Sequence, residues 1–170
     1  MYGLKLSYII AYMILGIILW SFLGIHLSNK KIWKYLNVML MLIGLYGILK
    51  YTVLGRHSSS ERHQFIYWMD DRSGEFWREM LMNVFLYFPF GVAAANVLHS
   101  YKRSVIVAFI LSVTIESWQY LAGTGVAQMT DVICNVGGVI IGGLVYLSIL
   151  EMSKKEHLFK NSNSKQGEEQ

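Results

Sequence analysis

Apolar residues fill this chain in five long blocks separated by polar stretches: Leu6 to Asn29, Tyr35 to Gly55, Met80 to Tyr101, Ser104 to Leu121 and Val132 to Leu150. A helix needs roughly 20 mainly apolar residues to cross about 30 Å of hydrocarbon at 1.5 Å per residue, and each block is of that order. The pattern predicts an all-α membrane protein, a bundle of five transmembrane helices at about 6–29, 35–55, 78–99, 104–121 and 131–150. The first block has no charged side chain apart from His26, and Lys50 in the second can snorkel its stem toward the nearer interface. The third and fifth blocks hold no Lys, Arg, Asp or Glu, whereas the fourth holds a single carboxylate, Glu116. The bundle accounts for residues 1–152, with an external loop over 56–77. The remaining tail, 153–170, is polar and mixed in charge, and is expected to be disordered.

Composition agrees with that picture: 54% of the 170 residues are hydrophobic and 15% are charged. A soluble domain would carry about 25% charged residues. Lys5 before an apolar stretch could suggest a secretory signal, but the stretch is too long and no small-x-small cleavage site follows it. The lone Cys134 excludes an internal disulfide, and no His/Cys cluster has metal-ligand spacing, so no metal or cofactor is expected. The net charge of +4 is not read as a nucleic-acid footprint; in a membrane protein the basic residues record orientation. Lys30, Lys31, Lys34, Lys102, Arg103, Lys154, Lys155 and Lys160 fall on one side, and Lys5, Arg56, Arg62, Arg72 and Arg78 on the other. The first side is therefore expected to be cytoplasmic, which places the N-terminus outside and the C-terminus inside. Phe65 to Met69 in the external loop is too short to span, and is expected to lie in the interface or cap the bundle.

With that topology, polar residues gather in the outer leaflet. Arg56 follows the second helix; Glu79 and Asn83, at i and i+4, open the third; Glu116 and Gln119, at i and i+3, lie near the end of the fourth; Asp131 and Asn135, again i and i+4, open the fifth. The opposite ends offer little besides Lys and Arg. Each residue has a plainer explanation. Thr130 could cap the last helix while Asp131 sits on the positive end of its dipole. Glu79 could be a solvated residue in a first or second turn, and Asn83, Gln119 and Asn135 could be hydrogen-bonding glue between helices. Glu116 resists such treatment, because it lies roughly 7 Å inside its helix at 1.5 Å per residue and toward the C-terminus, where the dipole disfavours an anion. Gly138 and Gly142 form a G-x-x-x-G pair that lets another helix approach, and this would turn Asn135 toward the interior. Pro89, followed by Gly91, is expected to kink the third helix.

Three ordered motifs, Glu79-x-x-x-Asn83-Val-Phe-Leu-Tyr-Phe-Pro89-Phe-Gly91, Ile115-Glu116-Ser-Trp-Gln119 and Asp131-Val-Ile-Cys-Asn135-Val-Gly-Gly138, resemble the VanZ-like family of small membrane proteins, and Thr52-Val-Leu-Gly-Arg56 fits the same pattern. The resemblance covers about residues 35 to 150. It implies a multi-pass protein of the bacterial cell membrane, of Gram-positive type, in a family whose founding member is linked to teicoplanin resistance. Its members often carry a stretch resembling G-R-x-x-D before the last helix; here Gly123 to Thr130 contains no cation, and Arg56 is the candidate replacement.

Three functions compete at this stage. The first is a binding site open to the outer leaflet, for a membrane lipid headgroup or a cell-envelope precursor, built from Arg56, Glu79, Asn83, Glu116, Gln119, Asp131 and Asn135. The second is an enzyme acting on an envelope lipid, with Glu116 or Asp131 as general base, although no Ser/His pair or phosphate loop accompanies them. The third is a structural or accessory subunit. A transporter is disfavoured, because five helices give no inverted repeat and no polar track reaches the inner face.

Overall fold

The computed structural model describes residues 6–27, 29–55, 65–66 and 74–168. Five helices dominate it: α1 (Leu6–His26), α2 (Lys30–Leu49), α3 (Gly74–Val97), α4 (Tyr101–Ala122) and α5 (Met129–Glu168). A π-helical turn, Lys50–Leu54, extends α2. Two short strands, β1 (Phe65–Ile66) and β2 (Ala127–Gln128), pair in parallel. Among the described residues four stretches are long and apolar enough to cross a membrane: Lys30–Leu54, Trp77–Val97, Tyr101–Ala122 and Met129–Glu156. The described apolar part of α1, Ile14–His26, is shorter.

Local chemistry moves the helix boundaries away from the expected ones. Asn29 belongs to α2, where its side chain accepts hydrogen bonds from the amides of Lys31 at 3.0 Å and Ile32 at 3.2 Å. With that N-cap in place α2 begins at Lys30 rather than Tyr35, despite the basic residues in its first turn. His99, at φ 51°, takes the left-handed conformation that stops α3 at Val97, and Ser100 then caps α4 by accepting from Arg103 N at 3.3 Å. At the far end of α4, Gly123 adopts φ 62° and the amide of Thr124 reaches back to the Gln119 carbonyl at 3.1 Å, closing the helix in the manner glycine permits.

The tail expected to be disordered from Ser153 is instead helical, as α5 continues to Glu168. Residues 151–166 contain neither proline nor glycine, and good helix formers with an i,i+4 pair, Glu151 to Lys155 at 3.0 Å, extend the last span beyond its apolar part. His26 at the end of α1 also meets Glu156 at 3.5 Å.

The core is organised around α3. Tyr87, Phe90 and Ala94 are buried with Ile48 of α2, Ala108 and Ile115 of α4 and Val139 of α5. Helices α3 and α5 run parallel and nearly touch backbone to backbone. A Cβ on Gly138 would strike the Val84 carbonyl, one on Gly142 the Phe88 carbonyl, and one on Gly91 would lie 2.6 Å from Val139 Cα. Pro89, expected to kink the helix, sits within one unbroken α3. On the outward faces Ile18, Phe22, Leu42, Ile43, Ile106, Phe109, Ile110 and Leu144 are all exposed. An apolar surface of that extent is stable against lipid and not against water.

Candidate functional site

The end of α2, the start of α3, the end of α4 and the start of α5 lie together at one end of the bundle, and polar side chains from all four meet there. Asn83 donates Nδ2 to Asp131 Oδ1 at 2.7 Å, linking α3 to α5. Asn135 donates Nδ2 to Ser112 Oγ at 2.8 Å, linking α5 to α4. Gln119 donates Nε2 to the Thr52 carbonyl at 2.9 Å, linking α4 to the turn after α2. That carbonyl is available because the π-helical turn ends at Gly55, leaving the last carbonyls without a following amide of the same helix.

Glu116 is buried, and its Oε2 accepts a hydrogen bond from the backbone amide of Gln128 at 3.0 Å. Gln128 is in β2, whose partner Ile66 belongs to the long loop between α2 and α3. Phe65 and Ile66 are thus paired with the short strand whose Gln128 amide holds the Glu116 carboxylate. Tyr87, one turn after Asn83 on α3, extends the cluster inward: its hydroxyl faces Ser112 and lies in the field of both Glu116 and Asp131.

Among the described residues, the Thr130 hydroxyl and Oδ1 of Asn135 are buried here without a hydrogen bond, each in a residue that is 2% exposed. Turning the Asn135 amide over would exchange the atom bonded to Ser112 and still leave one end unsatisfied. A buried polar group left unpaired costs roughly 1–3 kcal/mol. Among the described residues no three His, Cys, Asp or Glu side chains gather closely enough to hold a metal ion.

The expected residues are thus brought together unevenly. Asn83, Glu116, Gln119, Asp131 and Asn135 converge, whereas Glu79 is exposed and Arg56 lies outside the described residues. The reading of Thr130 as an N-cap is corrected: α5 starts at Met129, so Thr130 is already helical and its hydroxyl caps nothing. Sequence reasoning missed Tyr87, Thr130 and Gln128 as members of the site. Tyr87 was accessible from its i+4 spacing to Asn83, but Gln128 acts through its backbone and carries no side-chain signal. The opposite end is also more polar than expected, with Asn96 donating to the Tyr146 hydroxyl at 3.1 Å and the buried Asn37 donating to the Trp33 carbonyl at 2.8 Å.

A family model, VanZ/LLP1, matches residues 6–151, which takes in α1 to α4, the first part of α5 and every residue of the cluster. The chain belongs to the VanZ/LLP1 family. Neither the curated proteins nor the solved structures gave a match. For this VanZ/LLP1 protein the match extends the likeness through α1, beyond the three motifs that first carried it.

Proposed function

We propose that this VanZ/LLP1 protein crosses the bacterial cell membrane five times, with its N-terminus outside and its C-terminus in the cytoplasm. In this reading the polar cluster lies in the outer leaflet and holds a lipid headgroup or cell-envelope precursor. Occupancy of that site is how the protein would alter access of a glycopeptide of the teicoplanin type to the envelope.

The observation that carries the reading is the convergence of Asn83, Glu116, Asp131 and Asn135 from three helices, with buried polar atoms of Thr130 and Asn135 that have no hydrogen bond among the described residues. Bonds between helices account for Asn83, Gln119 and the amide nitrogen of Asn135, as a purely structural role would require. They do not account for the Thr130 hydroxyl or the Asn135 amide oxygen. One observation favours an enzyme acting on an envelope lipid as a second reading: the Gln128 amide fixes the Glu116 carboxylate in place, as a general base requires.

The test is to purify the protein in detergent and identify co-purifying lipids by mass spectrometry, comparing wild type with Glu116→Gln. A lipid or precursor present with wild type and depleted from the variant supports a ligand site. The same lipids at the same levels in both would leave the cluster with a packing role alone.

A further inference from the structure

The apolar stretch Lys30–Leu54 carries Lys30, Lys31 and Lys34 at its start and one further cation, Lys50, close to its other end. Lys50 is exposed, on the outward face of α2 and its π-helical extension that also presents Ile43, Tyr46 and Leu54. Two contacts fix its depth. Gln119 donates to the Thr52 carbonyl at 2.9 Å, so the last turns of α4 and the π-helical turn stand at one level. Trp118, beside Gln119, is 54% exposed, and a tryptophan exposed near the end of a spanning helix stands at headgroup level. Lys50 precedes Thr52 by two residues, roughly 3 Å along the axis at 1.5 Å per residue, and so begins below that level.

Its side chain does not extend toward the nearer interface, as the sequence leads one to expect. It leans back toward the helix N-terminus, as helical side chains do, and Nζ lies 5.9 Å from the centroid of the Tyr46 ring one turn earlier. The ammonium is thereby held at the edge of the hydrocarbon on a face turned to lipid. Among the described residues no carboxylate pairs with it; the ion pairs are His26 with Glu156 and Glu151 with Lys155. The Tyr46 ring faces one side of the charge, and an ammonium has three N–H donors to place. A cation in a spanning segment calls for a partner, and the anion that reaches a lipid-facing side chain at this depth is the phosphate next to the glycerol of a phospholipid. Tyr51, 61% exposed, adds a phenolic donor beside it.

We propose that Lys50, flanked by Tyr46 and Tyr51, binds the phosphate of a membrane phospholipid at a site on the lipid-facing side of α2, outside the polar cluster. The test uses the full-length protein in detergent, equilibrated with equal amounts of phosphatidylglycerol and diglucosyldiacylglycerol, which has no phosphate, with retained lipid counted by native mass spectrometry. Wild type is expected to retain phosphatidylglycerol over the glycolipid by about tenfold. Lys50→Gln should lose one bound phosphatidylglycerol per protein and most of that preference, and Lys50→Arg should keep both. Because Lys50 is exposed, the Gln variant should melt as wild type does, and phosphatidylglycerol should raise its melting temperature less than that of wild type. The same number of phosphatidylglycerol molecules on wild type and Lys50→Gln would overturn the site. Equal loss of both lipids from the variant would keep a lipid contact and overturn the phosphate. Displacement of the lipid from wild type by millimolar inorganic phosphate, with no such effect on Lys50→Gln, would keep the phosphate and overturn the membrane source.

Discussion

Asn83 and Asp131 are joined by a 2.7 Å hydrogen bond at the head of the contact between α3 and α5, just before Val84 meets Gly138. The bond and the close approach depend on one another. The absence of a Cβ at Gly138 brings the helices together, and the approach places the amide within reach of the carboxylate. A double-mutant cycle with Asn83→Ala and Asp131→Ala should give a coupling of about 1 kcal/mol, within the range for hydrogen bonds between membrane helices. Strict additivity of the two losses would show that the bond contributes nothing to stability.

Neighbouring glycines on α5 should respond in opposite ways. A Cβ at Gly138 collides with the backbone of α3, whereas one at Gly137 meets nothing within 4 Å. Gly138→Ala should lower stability by about 1–3 kcal/mol through overpacking. Gly137→Ala should be neutral or raise it by about 0.5–1 kcal/mol through helix propensity. Thermal unfolding in one detergent compares the two, and equal effects would contradict the seam between α3 and α5.

Substitutions at Glu116 separate its charge from its place in the fold. Glu116→Gln retains an oxygen for the Gln128 amide and should melt within a few degrees of wild type while losing bound lipid. Glu116→Leu also removes the acceptor and should cost roughly 1–3 kcal/mol in addition. Should the Gln variant match wild type in both stability and lipid content, the site would have to be rebuilt around Asp131 and Asn135.

Sidedness is checked with reporter fusions. Fusions after Leu150 are expected to behave as cytoplasmic, and fusions near Asp71 as external, following the asymmetry of Lys and Arg. The reverse pattern would move the whole polar cluster to the inner leaflet.

The sequence made the helices and most of the cluster legible for a simple reason. In lipid every backbone group must be satisfied within its own segment, so apolar length translates directly into helix. Polar residues at i and i+4, such as Asp131 with Asn135, were visible by the same regularity. Helix ends were less legible, because Asn29 and Ser100 act through caps whose choice of helix depends on backbone geometry. The helical continuation past Ser153 was hidden by its polar composition, which disorder shares with a solvated helix. Thr52 and Gln128 contribute backbone atoms, which any residue type could have supplied.

The glycine seam also sets an order of events during synthesis. Its α5 half is synthesised after its α3 half, so α3 is made before the neighbour it packs against most intimately is available. Until then Asn83 and Ser112 lack Asp131 and Asn135, the partners they hold in the finished bundle. A chain arrested before Thr130 should therefore be an incomplete membrane intermediate with exposed polar groups, and quality-control proteolysis should clear it faster than the full-length chain in a pulse-chase comparison.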